Sequence, residues 1–433
     1  MLRKHFLYKN VLQVEHFYLS LQPKSIINII DSLMESLIRR HLNRMQTANL
    51  DFIRNMMDEI DWNERLVMIK GQKGVGKTTL MTQRILTEFG ATNTSDVLYA
   101  SLDNIYFSTH QLLDFIERFH SQGGKYLFLD EVHKYKGWSL EVKNAYDEFP
   151  DMHIVLSGSS LVNLNDGEAD LSRRCITYTM PGLSFREYLM MFHQLDLPRR
   201  TLTEILTDGN TICADIIART HPLPLFADYL RNGYYPFLKE GKNNYHARIE
   251  NIVNTVVDVE LPQLRSLDIG NIRKIKALLS ILASNVPYSV DTVKLSAMAE
   301  ISRTTLLQYL QYLSEAHLIQ LLYSDATNVK RLQKPDKIYL ENTNLLHALS
   351  STHVNEGTER ETFLVNQLSH QHLVEYSKTS ADLTVDRQYT IEIGGRSKDG
   401  KQIAGIPNSY IAAADEEYVL GNKIPLWLFG MLY

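Results

Sequence analysis

The chain has 433 residues. A single hydrophobic core usually organises fewer residues than this, so the length predicts several domains. Its composition, 44% apolar and 22% charged, excludes the disordered and fibrous classes, and a formal net charge of -5 gives no overall attraction to nucleic acid. Cys175 and Cys213 stand far from any Cys/His cluster, which argues against a disulfide framework or a structural zinc site. No apolar run is long enough for a membrane span or a signal peptide, so we expect a cytoplasmic protein without a membrane partner.

Before the first predicted strand, apolar residues recur at helical spacing in two segments. One runs from Ile26 to Leu37 and the other from Leu50 to Ile60. This spacing predicts two amphipathic helices. Residues 1–24 show no such period, and we assign residues 1–62 to an N-terminal extension.

Four short apolar runs follow, separated by segments long enough for helices. The runs are Leu66–Ile69, Val97–Leu102, Tyr126–Leu129 and Ile154–Leu156. Apolar strands that alternate with helices predict a parallel sheet buried on both faces, and therefore an α/β fold. We assign residues 63–182 to this core.

The segment from Gly71 to Thr78 matches G-x-x-x-x-G-K-[ST], directly after the first strand and before a helix. In such a P-loop, backbone N–H groups and the positive end of the helix bind phosphates. Lys77 is expected to contact the β- and γ-phosphates and Thr78 to bind magnesium. We therefore predict a site for ATP with Mg²⁺. The predicted nucleotide-binding residues are Gly71, Gln72, Lys73, Gly74, Val75, Gly76, Lys77, Thr78 and Thr79.

A second motif supports the first. The run Tyr126–Leu129 ends in Asp130 and Glu131, which is the arrangement of a Walker B segment. Beside a P-loop, Asp130 is expected to hold Mg²⁺ through its water shell. Glu131 is expected to orient and deprotonate the attacking water. Acidic pairs also occur at helix N-termini, so this interpretation depends on the neighbouring P-loop.

Three further residues are candidates for the transfer chemistry. Ser157 ends a strand where a hydroxyl can contact the γ-phosphate or the water, although a turn that closes the strand explains the serine equally well. Arg173 and Arg174 precede the strand-like run Cys175–Met180. Either arginine is a candidate finger towards the γ-phosphate of a neighbouring subunit in a homo-oligomer, and ordinary surface ion pairs are the alternative.

Beyond the core, the strand pattern stops and two modules are predicted. Residues 183–265 contain helical runs punctuated by prolines and predict a helical lid subdomain. Residues 266–345 predict a winged helix, in which Ser302 caps the second helix of a helix-turn-helix. Its expected buried residues are Leu306, Leu310 and Leu313, and its wing strands are Leu318–Leu322 and Lys337–Leu340.

The predicted winged helix has two candidate partners. The residues left to face a DNA major groove are Arg303, Thr304, Gln308 and Gln311. Those placed to meet phosphates are Lys330, Arg331, Lys334 and Lys337. The second helix carries only one arginine and also Glu315, so a protein partner is an equal alternative to DNA.

Several blocks of the chain resemble one prokaryotic family, the AAA-type ATPases that carry a winged helix and a C-terminal domain of uncertain function. The blocks are Gly71–Thr79, Leu129–His133, Leu156–Ser160, Leu183–Leu189, Lys337–Leu345 and Ile424–Gly430. The resemblance implies an AAA-type core and places Ser157 at the position called a sensor in that superfamily. Members are mostly described as predicted ATPases, so the resemblance implies architecture more directly than a biological role.

Residues 346–433 predict a C-terminal α+β domain with three spaced acids. Glu361 lies in a helical stretch, Asp382 precedes a strand and Glu392 lies within the next. This spacing resembles the PD-(D/E)xK nuclease core, which implies a second metal site at these carboxylates. Gly394 stands where that family has its lysine, and only Arg396 or Lys398 follows as a replacement, so a degenerate binding scaffold is the alternative.

Taken together, these patterns predict a P-loop NTPase sheet with a helical subdomain, followed by a winged helix and a C-terminal α+β domain. The leading hypothesis is an ATP-hydrolysing switch or motor that controls the attached modules. One alternative is a nucleotide-gated DNA- or protein-binding protein with negligible turnover. Another is a DNA-processing enzyme that cuts with the C-terminal carboxylates.

Overall fold

The computed structural model describes residues 23–162, 171–285, 288–289, 291–324, 334–350, 354–377, 381–395 and 398–433. Of the residues proposed from sequence, Lys330, Arg331 and Arg396 lie outside this part of the chain. No helix within it has both the length and the apolar character needed to cross a membrane. Cys175 and Cys213 are both buried free cysteines.

The centre of the chain is a five-stranded sheet whose neighbouring strands are all parallel, in the order β2-β3-β4-β1-β5. The strands are β1 (Leu66–Gly71), β2 (Val97–Ser101), β3 (Tyr126–Asp130), β4 (His153–Ser159) and β5 (Ile176–Thr179). The α/β prediction is therefore confirmed. Because β1, β3 and β4 run side by side in one direction, their carboxyl ends meet at one edge of the sheet.

Helices cover both faces of this sheet. They are α1 (Pro23–Thr47) and α2 (Met56–Glu59), which precede β1, and α3 (Lys77–Phe89), α4 (Leu112–Ser121) and α5 (Trp138–Glu148), which connect the strands. Successive residues of β1 enter different cores, with Val67 and Ile69 on one side and Leu66 and Met68 on the other. Both faces are thus buried, as the near-continuous apolar strands predicted.

The second predicted N-terminal helix is wrong for most of its length, since only α2 is helical between Leu50 and Ile60. Tertiary contacts hold the preceding segment in another conformation. The amide of Gln83 on α3 donates to the carbonyls of Asn49 and Phe52, at 2.8 and 2.7 Å. Carbonyls bonded to another helix cannot take part in a helical ladder of their own, and tertiary context overrides the local pattern.

Helices dominate residues 183–265, in agreement with prediction. They are α6 (Phe185–His193), α7 (Leu202–Thr207), α8 (Gly209–Ile217), α9 (Pro222–Asn232), α10 (Tyr245–Thr255) and α11 (Leu261–Arg265), with a π-helical turn at Val256–Glu260. A capping box formed by Ser184 and Glu187 begins α6. The π-helical turn joins α10 and α11 into one continuous helical path.

The next module contains a helix-turn-helix and a small antiparallel sheet. Its elements are α12 (Ile269–Asn285), β6 (Tyr288–Ser289), α13 (Thr292–Met298), α14 (Arg303–Glu315), β7 (Ile319–Leu322) and β8 (Lys337–Leu340), with strand order β6-β8-β7. Ser302 accepts a hydrogen bond from the N–H of Thr305 and so caps α14 as predicted. Leu306, Leu310 and Leu313 are buried, also as predicted. The short strand β6 was not predicted.

The C-terminal part combines two helices with a mixed sheet in the order β13-β12-β11-β10-β9. Its elements are α15 (Thr343–Leu349), α16 (Glu356–Ser369), β9 (Val374–Tyr376), β10 (Leu383–Val385), β11 (Tyr389–Gly394), β12 (Ser409–Ala413) and β13 (Lys423–Pro425). Strands β9, β10 and β11 pair antiparallel, whereas β11, β12 and β13 pair parallel. The α+β prediction for this region is confirmed.

Two of the hydrophobic cores cross the boundaries of the predicted domains. One core contains residues of the parallel sheet, of α10 and of the helix-turn-helix module, for example Val67, Ile249 and Leu310. Another contains α6–α9 together with the C-terminal sheet, for example Phe226 and Ile391. The helical subdomain is therefore shared between the P-loop core and the two later modules.

Candidate nucleotide-binding site

The P-loop follows β1 and leads into α3, which begins at Lys77. Gly76, at the helix N-cap, has φ of +103°, a conformation that other residues rarely adopt. The buried ammonium of Lys77 donates to the carbonyls of Gly71 and Gln72, at 2.8 and 3.1 Å. Burial lowers the pKa of Lys77, while Glu131 and Asp130 act in the opposite direction. Its charge is thus held at the mouth of the loop, where phosphate oxygens are expected.

A cavity of about 920 Å³ opens over this loop. Residues 73–79 line it together with parts of α1, the segment before β1, and α10. Its volume falls within the range of small-molecule sites. Of the predicted nucleotide-binding residues, Lys73 to Thr79 therefore face the cavity as expected.

Gly71 and Gln72 do not line this cavity with side-chain atoms. Gly71 packs so tightly against the residue that follows β5 that a Cβ would stand 2.5 Å from the Met180 carbonyl oxygen. The Gln72 side chain turns away, accepts from the Tyr235 hydroxyl at 2.6 Å and donates to the His317 carbonyl at 3.0 Å. The Gln72 side chain is therefore bound away from the cavity, and a contact of its backbone with the nucleotide stays a prediction.

Oxygen atoms suited to magnesium converge at the carboxyl end of β3. Thr78 donates to Asp130 Oδ2 at 2.7 Å, and Tyr99 on β2 donates to the same oxygen at 2.7 Å. Ser157 donates to the other oxygen, Oδ1. A hydroxyl beside a carboxylate is a hard oxygen donor set, which fits Mg²⁺ bound with substrate phosphates and water. Thr78 and Asp130 would hold the ion.

Ser157 was predicted to contact the γ-phosphate or the attacking water, and that role stays a prediction. It lies at the carboxyl end of β4 but is completely buried, and its contacts are Asp130 and the N–H of Glu131 at 3.3 Å. The hydroxyl therefore contacts the Walker B segment and does not line the 920 Å³ cavity.

Glu131 follows β3 in a left-handed conformation with φ of 55°, and it lines the cavity with Lys77 and Thr78. A non-glycine residue with positive φ is uncommon, and such strain concentrates at functional sites. Burial raises the pKa of Glu131, and the charge of Lys77 acts against that shift. The side chain remains 30% exposed, so it is open to a water molecule in the cavity.

His133 is a neighbour of Glu131 that the sequence did not single out for a role. Its Nδ1 accepts the Ser159 N–H at 3.3 Å, which leaves the proton on Nε2. That Nε2 lies 3.3 Å from Glu131 Oε2. Ser159 in turn donates to the buried carboxylate of Glu260, at 2.6 Å, on the π-helical turn. The presence of a histidine two residues after a Walker B acid was the only sequence signal for this chain of contacts.

Another unpredicted residue, Arg54, fixes the outer side of the loop. Its guanidinium donates to the Val75 carbonyl at 2.8 Å and to Glu187 at 2.9 Å. Burial acts to raise the pKa of Glu187, but the charge and hydrogen bond of Arg54 outweigh it and lower that pKa. Sequence alone offered no signal for this buried pair, because its partners are far apart in the chain.

Arg173 and Arg174 lie at the amino end of β5, on the sheet edge opposite the P-loop. Arg174 binds Asp147 through two nitrogens, at 2.9 and 3.0 Å. Arg173 is exposed. Neither lines the 920 Å³ cavity of its own chain. A role towards a neighbouring subunit stays a prediction.

The predicted second metal site is wrong, because no group of three or more His, Cys, Asp or Glu side chains in the described chain is placed to hold a metal ion. Glu361 binds Lys337 and the Tyr339 hydroxyl instead. Asp382 accepts the Ile393 N–H at 2.8 Å, and Lys398 pairs with Glu392 at 2.5 Å. Each carboxylate is therefore engaged inside the domain.

The helix-turn-helix face partly fits the predicted DNA interface. Arg303, Thr304, Gln308 and Gln311 are all exposed. Lys334 is also exposed, but Lys337 is tied to Glu361 at 3.0 Å, so its prediction as a phosphate contact is corrected. The polar residues predicted to face DNA are thus exposed, whereas Lys337 is paired within the protein.

Comparison with known families agrees with the central part of this description. Residues 63–189 match the family described as an AAA domain, and residues 223–356 match a domain of unknown function, DUF8612. The motif, the sheet order and this match define the chain as one that contains an AAA-type P-loop domain. The second match extends from the helical subdomain through the helix-turn-helix module.

The chain is similar to two uncharacterized proteins of Methanocaldococcus jannaschii. Identity to MJ1637 is 24%, over 70% of this chain and 66% of the relative. Identity to MJ1544 is 23%, over 64% of this chain and 60% of the relative. The chain thus spans less than two thirds of the length of either relative.

Two solved structures align with part of the chain. AMPPCP-bound DnaA from Aquifex aeolicus has 16% identity, coverage of 65% of this chain and 87% of its own, and a TM-score of 0.23. PCH-2 from C. elegans has 14% identity, coverage of 65% and 69%, and a TM-score of 0.24. Scores this low carry no argument, so the fold assignment depends on the sheet order and the family match.

Proposed function

We propose that this protein is a magnesium-dependent ATPase whose nucleotide state is transmitted to the helix-turn-helix module and the C-terminal domain. The observation that carries the proposal is the position of Gln72. One residue of the P-loop joins the phosphate site to a later module, because its side chain donates to the carbonyl of His317, between α14 and β7. The nucleotide site and the attached module are therefore in direct contact.

The contact gives nucleotide binding a way to act at a distance. Lys77 donates to the Gln72 carbonyl, and phosphate oxygens compete for the same ammonium protons. When a triphosphate takes them, the hydrogen bonding of the Gln72 backbone changes while its side chain still holds Tyr235 and His317. A ligand shifts an equilibrium only through such differential contacts.

A second route starts at the carboxyl end of β4. Ser159 binds Glu260 on the π-helical turn, and Arg265 on the same helical path binds Glu315 at 2.9 Å. Arg265 also donates to the Leu161 carbonyl at 3.2 Å. The end of β4 is thus linked to the end of α14. π-Helical turns are frequent at functional positions, which agrees with a coupling role for this segment.

In the proposed hydrolysis, Glu131 orients the attacking water and accepts its proton. Lys77 and the N–H groups of the P-loop stabilise charge on the phosphates. Magnesium, when bound by Thr78 and Asp130, supplies further neutralisation of that charge. Ser157 and Tyr99 donate to Asp130 and keep it in position, and the His133 ring lies beside Glu131.

Turnover is tested with Glu131→Gln in the full chain. We expect the variant to bind ATP normally and to lose about 10²- to 10⁴-fold in kcat, because the amide cannot take the proton. Asp382→Asn, in the C-terminal domain, is the control and should leave kcat unchanged. Absence of phosphate release from the wild type in every ligand and oligomeric state would instead support a nucleotide-gated binding protein.

Coupling is tested with Gln72→Ala. Hydrogen exchange at residues 303–322 should change when ATP is added to the wild type, and this response should be lost in the variant while ATP still binds. Gln320→Ala is a matched control, because the Gln320 amide donates to the Glu341 carbonyl at 2.8 Å and not to the P-loop. Equal ATP responses in all three proteins would contradict the coupling.

The partner of the module is tested by measuring turnover with and without duplex DNA. Stimulation that is lost with Arg303→Ala would support DNA binding by the exposed face of α14. Absence of both binding and stimulation would support a protein partner, in agreement with the low basic content of that helix.

A further inference from the structure

Two cavities meet at the expected position of the γ-phosphate. The first is the 920 Å³ cavity over the P-loop, and the second, of about 730 Å³, lies beside β2 and β3. The residues that line both are Arg44, Thr47, Thr78 and Glu131. Thr78 and Glu131 mark the expected magnesium and attacking water. Arg44 is the only cation among the four.

A well-anchored helix carries Arg44 to this place. Helix α1 packs along β2, which is the edge strand of the sheet. One turn before Arg44, the buried ring of His41 accepts the Tyr99 N–H through Nδ1 at 3.0 Å. Met45, directly after Arg44, is also buried. The position of the arginine backbone is thus fixed on both sides.

The Arg44 guanidinium has no carboxylate partner in the described chain. It lies 4.7 Å from the centre of the Tyr99 ring, whose hydroxyl donates to Asp130. Other arginines at the nucleotide cavity are engaged, since Arg54 pairs with Glu187 at 2.9 Å and Arg248 with Glu240 at 3.0 Å. Arg44 alone among these three keeps its charge available to a ligand.

Electrostatics give this cation a role in the reaction. Phosphoryl transfer spreads negative charge over the transferred group and the leaving oxygen, and an additional arginine stabilises that charge. Arg44 also lies in the last turn of α1, where helix carbonyls carry a negative partial charge. Without a cation there, the end of this helix would repel a phosphate.

We propose that Arg44 is a catalytic residue, an in-chain cation that contacts the γ-phosphate and stabilises its charge during transfer. This inference rests on the proposed ATPase function. In the step concerned, the water oxygen bonds to the γ-phosphorus as the bond to the β–γ bridging oxygen breaks. Glu131 accepts the water proton, and ADP and phosphate leave. A single chain then contains the whole set of charges, without an arginine from a neighbouring subunit.

The test compares Arg44→Gln with Arg40→Gln in the full chain. Arg40 is exposed one turn earlier on α1 and lines only the 730 Å³ cavity, so it matches Arg44 in type and helix. We expect Arg44→Gln to lower kcat about 10²-fold with less than about a threefold change in KM for MgATP. Arg40→Gln should stay within about twofold of the wild type.

A second measurement separates catalysis from structure. MgADP with aluminium fluoride imitates the transferring phosphoryl group, so Arg44→Gln should weaken its binding far more than that of a non-hydrolysable MgATP analogue. Equal weakening of both, with a lower melting temperature, would show that the arginine only holds α1 on β2 and would overturn the proposal. Unchanged kcat in a hydrolysing protein would also overturn it.

Failure of the proposed ATPase function is distinguishable, because the wild type itself would then release no phosphate. If Arg44→Gln does not fold, Arg44→Lys replaces it. The lysine keeps the charge and loses the planar fork, so we expect a reduced kcat at unchanged MgATP affinity and melting temperature. An Arg44→Lys variant with the kcat of the wild type would contradict a contact made through the guanidinium fork.

Discussion

The nucleotide site and the C-terminal sheet contain similar groups in opposite states. In each region a lysine lies near acidic side chains. In the nucleotide site the acids stand at the end of β3 and directly after it, and in the C-terminal sheet the acid lies within β11. Lys77 donates only to backbone carbonyls, and Glu131 faces a cavity. Lys398 instead binds Glu392 directly, across Gly394, where a Cβ would stand 2.8 Å from the lysine chain. The first set of charges is open to a ligand and the second is neutralised within the fold.

The difference shows that residue types and spacing are insufficient to make a reactive site. Burying a charge costs free energy unless it is paired, and the C-terminal domain satisfies that requirement internally. In the P-loop the charge of Lys77 is only partly compensated, since burial lowers the pKa of this lysine. Groups held in this unfavourable state gain most from a ligand that pairs with them. Three predictions test this contrast, beginning with the largest expected effect.

Replacement of the two lysines should have opposite consequences. Lys77→Ala is expected to lower kcat/KM for ATP by about 10³-fold, because the triphosphate loses its closest fixed cation. The free energy of unfolding without nucleotide should fall little or rise, since a desolvated charge has been removed. Steady-state kinetics and urea unfolding would measure both quantities.

Lys398→Ala is the matched variant in the other region. It should keep the kinetics of the wild type and lose about 1–2 kcal/mol of stability, because the buried Glu392 carboxylate loses its partner, whose own side chain is partly exposed. Loss of ATP turnover in Lys398→Ala at normal stability would contradict the distinction between the two regions.

Acidification should lower the free energy of unfolding through His41, which lies on α1 beside the nucleotide site. Burial lowers the pKa of His41 from 6.5 to about 4. Between these values the unfolded chain binds more protons than the folded one, so the free energy of unfolding falls as the pH is lowered from 6.5 towards 4. The loss approaches about 3 kcal/mol for this histidine. Urea unfolding at a series of pH values would measure it.

The matched variants for this effect are His41→Gln and His221→Gln. The first should flatten the pH dependence, and the second, at an exposed position, should leave it unchanged. Because burial also lowers the pKa of His370 to about 4, part of the acid loss should remain in His41→Gln. An unaltered profile in His41→Gln would refute the assignment to this ring.

The smallest expected effect concerns the positioning of Glu131. His133→Ala should lower kcat about tenfold with little change in KM, since the carboxylate loses the neighbour that orients it. His133→Asn offers an amide in place of the ring and should restore part of the loss. A parallel fall in kcat and melting temperature, without rescue by asparagine, would indicate a purely structural role.

The sequence predicted the elements with strong local patterns. Strands β1 to β4 were located from their apolar runs, the P-loop from its motif, and the α14 cap from Ser302. It failed between Leu50 and Ile60, where helical spacing was present but contacts with Gln83 hold the backbone differently. Local propensity cannot represent a hydrogen bond made by a distant residue.

What the sequence by itself determined is the set of candidate groups at the site. Lys77 and Thr78 follow from the spacing of the P-loop motif, and Asp130 and Glu131 follow from the two acids that end an apolar strand. Tertiary structure alone decided which other groups join them. Arg44 and Tyr99 reach the site because α1 packs on an edge strand, and Gln72 turns away because Tyr235 and His317 bind it. Motifs encode contacts between neighbours in the chain, whereas these partners are brought together only when elements pack.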